Sequence, residues 1–232
     1  MKHGVCWGQR VEGVLEIKLH DPKRRNAINI DGYLHLAMLV DLAQSDSAVR
    51  VIFVHGGKFF TSGNNMTDKL DSRIMEQGEY FYHTMSALNQ YGVASVVKAF
   101  KDSVKPIVGL VRGWSVGIGF TLASFFTFLY CTPDAKFLAP FSVATLVPEG
   151  ASTLMFPKIF GRKANELLLM STPLTAQEAK RYNFVNEVLT NLDEEGEWPD
   201  MGKIPTIVQL LQTDQRTLEN CMSLINAARN ND

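Results

Sequence analysis

The chain alternates short apolar segments with helical patterns, and this alternation restricts the folds open to it. The apolar segments have the length and composition of strands and lie at residues 49–55, 107–111, 135–139 and 185–189. Helical patterns separate or follow them, at residues 30–43, 71–101, 120–129, 175 onward and 204–228. Strands joined through helices run parallel, so we predict an α/β fold in which helices cover a mainly parallel sheet.

Three segments carry a more specific local signal. Residues 14–19 (VLEIKL) alternate apolar and charged side chains, which predicts a strand with one face buried. Apolar residues recur every four positions from Ile30 to Leu42, which predicts an amphipathic helix. The sequence TAQE at residues 175–178 has the pattern of a capping box and predicts the start of another helix.

An uncharged stretch at residues 113–131 has two interpretations. Its 19 residues approach the length of a membrane-spanning helix. Its first half contains three glycines, however, and Arg112 and Asp134 flank it closely. Because no second apolar span accompanies it, we interpret the stretch as a buried strand, turn and helix.

Composition and charge exclude several classes of protein. The 232 residues are 46% hydrophobic and 20% charged, which excludes a disordered chain and suits one sizeable core. With 23 basic and 24 acidic residues, the net charge of -1 argues against binding to nucleic acid or to an anionic membrane. Cys6, Cys131 and Cys221 lie far apart without CxxC spacing, and the N-terminus lacks a secretory signal. We therefore expect a reduced, soluble, intracellular protein.

Several short motifs do not carry the chemistry that they suggest. The sequence GWSVG at residues 113–117 matches the G-x-S-x-G turn of α/β-hydrolases, with Ser115 as nucleophile. Those enzymes need a later histidine, whereas all five histidines here precede Ser115. The GIG at residues 117–119 does not complete a dinucleotide-binding motif, because Leu122 stands at the third glycine. The histidines also lack the spacing of metal ligands.

Two glycine-containing loops remain, and each follows a buried strand. They are residues 62–66 (SGNNM) and 117–119 (GIG). Glycine lets backbone N–H groups approach a ligand atom, and a helix that begins just after the loop adds a positive dipole end. Two such N–H groups aimed at one point would form an oxyanion hole. The same pattern also fits two ordinary tight turns.

Glu149 is the only carboxylate between residues 137 and 160, a mostly apolar stretch. Burial there would desolvate the carboxylate and raise its pKa toward the range of a general base. Alternatively, Glu149 begins a helix, as an N-cap or first-turn residue that faces water.

Four blocks follow one another at residues 21–29 (DPKRRNAIN), 60–66 (FTSGNNM), 105–109 (KPIVG) and 112–119 (RGWSVGIG). In this order they resemble the crotonase (enoyl-CoA hydratase/isomerase) superfamily, whose patterns are P-x-x-x-N-A-[IL], F-[SC]-[SA]-G-x-D-[LI], K-P-x-[IV]-A and N-G-x-A-x-G-x-G. The resemblance covers residues 11–188. Within the superfamily it is greatest to the peroxisomal-type Δ3,Δ2-enoyl-CoA isomerases, whose single catalytic glutamate lies in a segment similar to Pro148-Glu149-Gly150.

The resemblance implies a fold, an assembly and a setting. The expected fold is the crotonase-like ββα spiral, with a core at residues 1–190 and a linker and helical C-terminal segment at 191–232, shorter than is usual in the family. The expected substrate is an acyl-CoA thioester of fatty acid β-oxidation, and no separate cofactor is expected. The expected assembly is a homotrimer or a dimer of trimers. The expected compartment is the peroxisome or the mitochondrion, although no signal for either was seen.

The resemblance also implies roles for individual residues. Glu149 would move a proton from the carbon beside the thioester carbonyl of a 3-enoyl-CoA to the carbon two positions farther along, which gives the trans-2-enoyl-CoA. The backbone N–H groups of Asn64 and Ile118 would hold the thioester oxygen as the oxyanion hole. Hydratases carry glutamates at the positions of Thr121 and Phe141, so hydration is not expected.

Two further groups of residues follow from the resemblance. Those expected to bind coenzyme A are Lys23, Arg24, Ser62, Gly63, Asn65 and Met66. Those expected to form the acyl pocket around Glu149 are Phe141, Leu146, Val147 and Phe156. Asn65 and Arg112 depart from the family patterns, which have Asp and Asn at these positions. The basic residues 23–25 alternatively form a solvated turn.

Other functions stay open at the level of sequence. A crotonase-like chain can be a non-catalytic acyl-CoA-binding or scaffold protein, or it can catalyse hydration or thioester hydrolysis. The position of Glu149 in an apolar stretch argues against the non-catalytic alternative. The sequence does not fix the length of the acyl chain.

Overall fold

Two sheets organise the residues that the computed structural model describes, which are 6–65, 88–192 and 199–230. The strands are β1 (Cys6–Val11), β2 (Val14–Leu19), β3 (Val51–His55), β4 (Ile107–Val111), β5 (Trp114–Val116), β6 (Phe128–Cys131), β7 (Lys136–Leu138), β8 (Leu174–Thr175) and β9 (Glu187–Val188). The larger sheet has the order β1-β2-β3-β4-β6-β9 and is parallel except for the β1–β2 pair. The smaller sheet has the order β5-β7-β8.

Helices lie between and after these strands. In the described residues they are α1 (Ile30–Ser45), α2 (Ala94–Asp102), α3 (Ile118–Leu122), α4 (Ser152–Phe160), α5 (Lys163–Leu169), α6 (Ala176–Arg181), α7 (Pro205–Gln212) and α8 (Gln215–Asn230). The α/β fold predicted from the alternation is confirmed. None of the helices in the described part of the chain combines the length and the apolarity needed to span a bilayer.

Strand β3 shows how the core is built on both faces of the sheet. Ile52 and Val54 point to one face, where they join the main hydrophobic cluster that includes residues of α1 and α2. Val51 and Phe53 point to the other face and join a second cluster with residues of α7. Successive residues of a strand face opposite sides, so a strand covered on both sides is apolar throughout.

The C-terminal helices pack on the second face of the sheet. Ile204, Ile207 and Leu210 are buried in the cluster that also contains Val51 and Phe53. Burial of such side chains stabilises the fold by about 1.5–3 kcal/mol each. The boundary predicted between a core at 1–190 and a C-terminal segment at 191–232 stays a prediction.

Strand β2 differs from its prediction, because its charged side chains are buried as well. Glu16 accepts hydrogen bonds from His55 Nε2 at 3.0 Å and from Gln9 Nε2 at 2.6 Å. The N–H of Gly57 donates to His55 Nδ1 at 3.2 Å, so the neutral ring carries its proton on Nε2. An alternating pattern indicates a solvent face only when the neighbouring strand and its loop provide no polar partners.

Helix α1 is present, but its buried face is not the predicted stripe. Asn29 caps its N-terminus through Oδ1, which accepts from Gly32 N–H at 2.9 Å. Of the predicted apolar residues, Leu34, Met38 and Leu42 are exposed. The helix instead buries Gly32, Tyr33, Leu36, Ala37, Val40 and Ala43. This buried face mixes small, aliphatic and aromatic residues, and four-residue spacing alone did not distinguish it.

Two predicted helices have different boundaries in the structure. The helix predicted at 120–129 ends at Leu122, and residues 128–131 form strand β6 instead. Because every residue there is uncharged, the sequence has no alternation of apolar and polar residues that would distinguish a helix from a strand. The helix predicted at 204–228 is two helices, and Asp214 accepts from Thr217 N–H at 2.8 Å at the start of the second.

Two other predicted helices agree with the structure as far as it describes them. The capping box at Thr175 and Glu178 is confirmed, because both of its hydrogen bonds are present. Of the helix predicted at 71–101, residues 88–93 form a π-helical turn and 94–102 form α2. Its earlier residues lie outside the described ranges.

Candidate active site

The two glycine loops lie side by side. Thr61 and Ser115 form a parallel bridge, in which the N–H of Val116 donates to the carbonyl of Thr61 at 3.0 Å. Two residues farther along, Gly63 approaches Gly117. Asn64 and Ile118, which were chosen from the sequence as amide donors, each follow one of these glycines, and the convergence of their amides on one point stays a prediction.

Glycine is required where the loops touch. Gly63 and Gly117 have φ of 89° and 56°, in the left-handed region. A Cβ on Gly63 would lie 2.9 Å from the carbonyl oxygen of Val116 and 3.7 Å from Gly117 Cα. Any side chain at position 63 would push the loops apart and separate the two amides that follow.

The amides of Asn64 and Ile118 face away from the local backbone pairing. Ile28 N–H donates to Gly63 O, and Asn65 N–H donates to Ile28 O, each at 2.8 Å. In this parallel bridge the N–H of Asn64 points to the opposite side. Ile118 is the first residue of α3, and first-turn amides have no acceptor within a helix. Each of the two amides therefore lies outside the backbone pairing of its own loop.

Asn26, from the first sequence block, supports the loop from behind. Its Nδ2 donates to the carbonyls of Gly56, Phe59 and Phe60 at 2.6–3.1 Å. The backbone carbonyl of Asn26 accepts a hydrogen bond from Thr61 Oγ1 at 2.6 Å. Asn26 therefore holds the chain that leads into the glycine loop, and the N–H groups of its side-chain amide are occupied by hydrogen bonds to backbone carbonyls.

Glu149 reaches the same place from the segment before α4. A Cβ on Gly150 would lie 2.2 Å from Thr121 Oγ1 and 3.1 Å from Ile118 Cδ1, so this segment rests on α3. The N–H and Oγ of Ser152 donate to the carbonyl of Glu149 at 3.1 and 2.7 Å, which fixes its backbone. The alternative role as an N-cap does not apply, because Ala151 is the N-cap residue of α4 and Glu149 does not cap the helix.

The side chain of Glu149 is half-buried and meets the side chain of Asn64. Asn64 Nδ2 donates to Glu149 Oε1 at 3.4 Å, and the Tyr33 hydroxyl donates to Asn64 Oδ1. Burial raises the pKa of Glu149 above its ordinary value, and the hydrogen bond from Asn64 offsets part of that rise. A carboxylate with a raised pKa accepts a proton from carbon more readily.

A cleft of about 560 Å³ opens at Glu149. One wall consists of Val93, just before α2, with Ala94 and Val97 of α2, and the other is the segment 147–151. Three charged residues of α2 also line it, namely Lys98, Lys101 and Asp102. Asp102 pairs with Lys98 at 2.7 Å and with Lys101 at 3.3 Å, so the lining combines apolar side chains with one cluster of paired charges.

The basic residues predicted to bind coenzyme A adjoin the glycine loop. Lys23 and Arg24 are exposed on a 3-10 turn, Pro22–Arg24. Ser62 joins this turn to the loop, because its Oγ donates to the carbonyl of Arg24 at 2.9 Å and its N–H to the carbonyl of Arg25 at 2.9 Å. Two exposed cationic side chains therefore lie next to the loop, and their role in binding stays a prediction.

The remaining residues predicted to bind coenzyme A lie in the loop itself. Gly63 and Asn65 flank Asn64, and Asn65, which replaces the usual Asp, is held by its backbone bond to Ile28. Met66 lies outside the described residues. Arg112, the second departure from the family pattern, is buried, and its carbonyl accepts from Phe60 N–H at 3.0 Å.

The residues predicted to form the acyl pocket divide between core and surface. Phe156 is fully buried, with its ring centroid 4.5 Å from that of Phe120, and Phe141 is also part of the main cluster. Leu146 packs at the edge of that cluster, and Val147 is exposed and lines the cleft. The aromatic residues near Glu149 in sequence turn inward, so the walls of the cleft come instead from α2.

Other sequence candidates do not add chemistry to this site. Ser115 lies in β5 with its Oγ buried and without a hydrogen bond in the described residues, so it is not exposed as a hydrolase nucleophile is. Thr121 is fully buried beneath Gly150. Within the described ranges, no three His, Cys, Asp or Glu side chains come together in a way that could hold a metal ion.

Two parts of the site were missed at the level of sequence. Tyr33 contacts Asn64 from α1, and Val93, Ala94 and Val97 line the cleft from α2. Tyr33 lies on the buried face of α1 that the four-residue spacing did not reveal. The only sequence signal for this role was the hydroxyl of Tyr33, a polar group that needs a hydrogen-bond partner when its side chain is buried.

Comparison with known protein families shows to which family this chain belongs. The pattern of the enoyl-CoA hydratase/isomerase family matches residues 9–222. The chain belongs to this family. The crotonase fold predicted from the four sequence blocks is thereby confirmed, as is the resemblance to enoyl-CoA isomerases.

Relatives of this crotonase-family chain include two curated proteins that match it over 178 residues, 76% of its length. Enoyl-CoA delta isomerase 3, peroxisomal, from Mus musculus is 35% identical, and enoyl-CoA delta isomerase 2 from Homo sapiens is 33% identical. The chain spans 54% of the mouse protein and 44% of the human protein. A solved enoyl-CoA hydratase/isomerase from Pseudoalteromonas atlantica T6c has a TM-score of 0.81 and 26% identity, and the match covers 97% of this chain and 84% of that one.

Proposed function

We propose that this protein is a Δ3,Δ2-enoyl-CoA isomerase that uses Glu149 as its single acid–base group. The observation that carries the proposal is the hydrogen bond from the side chain of Asn64 to Glu149, because Asn64 follows Gly63, which contacts Gly117 immediately before Ile118. A base and two amide donors in one place match the needs of enolate chemistry at a thioester. The names of the mouse and human relatives support the same reaction.

The proposed reaction moves one proton and two electron pairs. Glu149 takes a proton from C2 of the 3-enoyl-CoA, and the C–H electron pair spreads through the double bond and onto the thioester oxygen. The amides of Asn64 and Ile118 stabilise that negative charge, each by about 3–4 kcal/mol. Glu149 then returns the same proton to C4, which forms the trans-2-enoyl-CoA without adding water or any other group.

The surroundings of Glu149 suit an acyl chain. The cleft between α2 and the segment 147–151 contains the apolar side chains of Val97 and Val147, against which a hydrocarbon chain can pack. In this proposal Lys23 and Arg24 bind the phosphates of coenzyme A, and Ser62, Gly63 and Asn65 bind its adenine; Met66, predicted for the same role, lies outside the described residues. The reaction needs no cofactor beyond the coenzyme A of its substrate.

Alternative functions of the family fit the site less well. Hydration needs a second carboxylate, whereas Thr121 and Phe141 stand at the two hydratase positions and both are buried. A non-catalytic acyl-CoA-binding protein would have no use for a half-buried carboxylate, which costs stability. The proposal includes a homotrimer or dimer of trimers, β-oxidation, and a peroxisomal or mitochondrial location, all of which follow from the resemblance.

The identity of the product tests this function. The purified protein is incubated with 3-hexenoyl-CoA, and the products are separated by liquid chromatography and identified by mass spectrometry. Isomerisation gives trans-2-hexenoyl-CoA of unchanged mass, hydration gives a gain of one water, and thioester hydrolysis gives free coenzyme A. Unconverted substrate that nevertheless binds would support the scaffold alternative, and either a hydrated or a hydrolysed main product would also overturn the proposal.

A further inference from the structure

Asn64 has a side chain that the proposed mechanism leaves unused. Its backbone N–H is one of the two amide donors, whereas its side-chain amide lies between two other residues. Oδ1 accepts from the Tyr33 hydroxyl, and Nδ2 donates to Glu149 Oε1 at 3.4 Å. One residue therefore contacts the base through its side chain and faces the oxyanion position through its backbone.

Tyr33 and Glu149 together determine which way the Asn64 amide points. The Tyr33 side chain is fully buried in α1, and its hydroxyl donates to Oδ1. With Oδ1 held there, the amide presents Nδ2 to Glu149. The reversed amide would place Oδ1 against the carboxylate, where two acceptors repel each other, and would turn Nδ2 toward the hydroxyl.

We propose that the side chain of Asn64 positions Glu149 for proton transfer and that Tyr33 fixes the orientation of Asn64. This inference rests on the proposed function and deepens it. Nδ2 holds Oε1 in place, which leaves Oε2, without a hydrogen bond in the described residues, to receive the proton from C2 and deliver it to C4. Asn64 is thus a positioning residue, while Glu149 is the group that touches the reacting atoms.

A neutral donor suits this position better than a charged one. A lysine or arginine beside Glu149 would stabilise the carboxylate strongly and weaken it as a base, whereas an amide holds it with a smaller effect. The ionisable groups that line the cleft with Glu149 are Lys98, Lys101 and Asp102 of α2, and they pair among themselves. Tyr33 of α1 donates a hydrogen bond to Asn64, the residue that contacts Glu149.

The first test measures the carboxyl group without any substrate. The 13C chemical shift of the Glu149 carboxyl is titrated by NMR in glutamate-labelled protein, and the signal is assigned by its loss in Glu149→Gln. Asn64→Ala retains the backbone N–H and removes only the side-chain amide, so it should raise the pKa of Glu149. Tyr33→Phe should raise it by less, because the amide stays but loses its fixed orientation.

Tyr130→Phe provides a matched control on the opposite face of the sheet. It also removes one hydroxyl that is hydrogen-bonded, in this case to Thr206, and Tyr130 belongs to the second hydrophobic cluster. The pKa of Glu149 should be unchanged in this variant. If Tyr130→Phe shifts that pKa as much as Tyr33→Phe does, or if Asn64→Ala does not shift it, the inference is overturned.

The second test uses the isomerase reaction. Asn64→Ala should lower kcat about ten- to a hundredfold, the value of one hydrogen bond to a charged group, and should leave KM nearly unchanged. The acid limb of the pH profile of kcat/KM should move to higher pH. An unmodified protein without isomerase activity would refute the proposed function, yet the NMR titration would still decide the role of Asn64. An active protein in which Asn64→Ala leaves kcat and the acid limb unchanged would refute the inference alone.

Discussion

Gly150 lies so close to Thr121 that a Cβ at position 150 would come within 2.2 Å of Thr121 Oγ1. Gly150 also has a φ of 64°, which residues with side chains rarely adopt. This contact joins the segment that carries Glu149 to the helix that begins at Ile118. The position of the proposed base relative to one proposed amide donor therefore depends on a residue that has to be glycine.

Replacing Gly150 tests that dependence. Gly150→Ala should lower the free energy of unfolding and also displace Glu149. Misplacing a catalytic group by one ångström costs roughly 10²-fold in rate, so we expect isomerase activity to fall about tenfold or more. Gly161→Ala is a matched control, because Gly161 has a φ of 55° but no atom within 4 Å of a built Cβ. It should show only the cost of the strained backbone, about 1–3 kcal/mol, and retain activity. Chemical denaturation and steady-state rates measure both effects, and equal losses of activity in the two variants would refute the role of the Gly150 contact.

Glu149 should make the folded protein less stable at high pH. Its pKa is raised by burial, so the folded state binds this proton more tightly than the unfolded state does. The stability that this proton contributes is present below the unfolded pKa and is lost as the pH rises through the folded pKa. At about pH 8, Glu149→Gln should therefore be more stable than the unmodified protein, by more than the roughly 0.5 kcal/mol typical of surface changes.

The control for this change is an exposed carboxylate. Glu187 is exposed on β9, and Glu187→Gln should leave the free energy of unfolding unchanged over the same pH range. The difference between Glu149→Gln and the unmodified protein should shrink below the ordinary glutamate pKa of 4.5, where both side chains are neutral. Urea denaturation at several pH values measures it, and a Glu149→Gln variant that is less stable at about pH 8 would contradict the expectation.

The buried pair of His55 and Glu16 should act in the opposite direction. Burial lowers the pKa of His55, so its contribution is present above the unfolded pKa of 6.5 and is lost as the pH falls. Burial alone would raise the pKa of Glu16, but the hydrogen bonds from His55 and Gln9 outweigh it and lower that pKa, so acid removes this stability too. The free energy of unfolding should therefore fall between about pH 7 and pH 5, and the fall should be smaller in His55→Asn. Denaturation curves at these pH values would contradict the account if the two proteins lost stability equally.

The absence of a second carboxylate at the hydratase positions leads to a prediction about products. Incubated with trans-2-hexenoyl-CoA, the protein should form 3-hydroxyhexanoyl-CoA at less than about 1% of its isomerisation rate, because a general base contributes about 10²–10⁴-fold and Thr121 and Phe141 provide none. Mass spectrometry detects the gain of one water. Hydration as fast as isomerisation would show that Glu149 alone activates water and would remove the distinction between the two reactions.

The sequence predicted the parts of the site that are encoded locally. Glycines at 63 and 117 each mark a turn that favours glycine, and the isolated carboxylate at 149 in an apolar stretch is the base that we propose. The pairing of Thr61 with Ser115, which brings Gly63 against Gly117, could be expected only through the family resemblance, because no local pattern indicates the pairing of segments 54 residues apart.

The rest of the site depends on tertiary contacts that leave no periodic signal. Tyr33 and Asn64 are 31 residues apart, and neither the four-residue stripe of α1 nor the loop pattern indicates their hydrogen bond. Phe156 lies near Glu149 in sequence, yet its ring packs against Phe120 in the core. The cleft wall opposite the segment 147–151 comes from α2, which is close to Glu149 in the fold but about 50 residues away in the sequence.

The central claim is that one carboxylate carries the proton, and the comparison of Glu149→Gln with Glu166→Gln tests it most directly. Glu166 lies on α5, with its side chain exposed and 2.7 Å from Lys163, so its replacement controls for the loss of one charge. With 3-hexenoyl-CoA, Glu149→Gln should lose about 10²–10⁴-fold or more in kcat while calorimetry shows nearly unchanged binding of coenzyme A, and Glu166→Gln should keep full activity. A Glu149→Gln variant that converts the substrate at the rate of the unmodified protein would contradict the account.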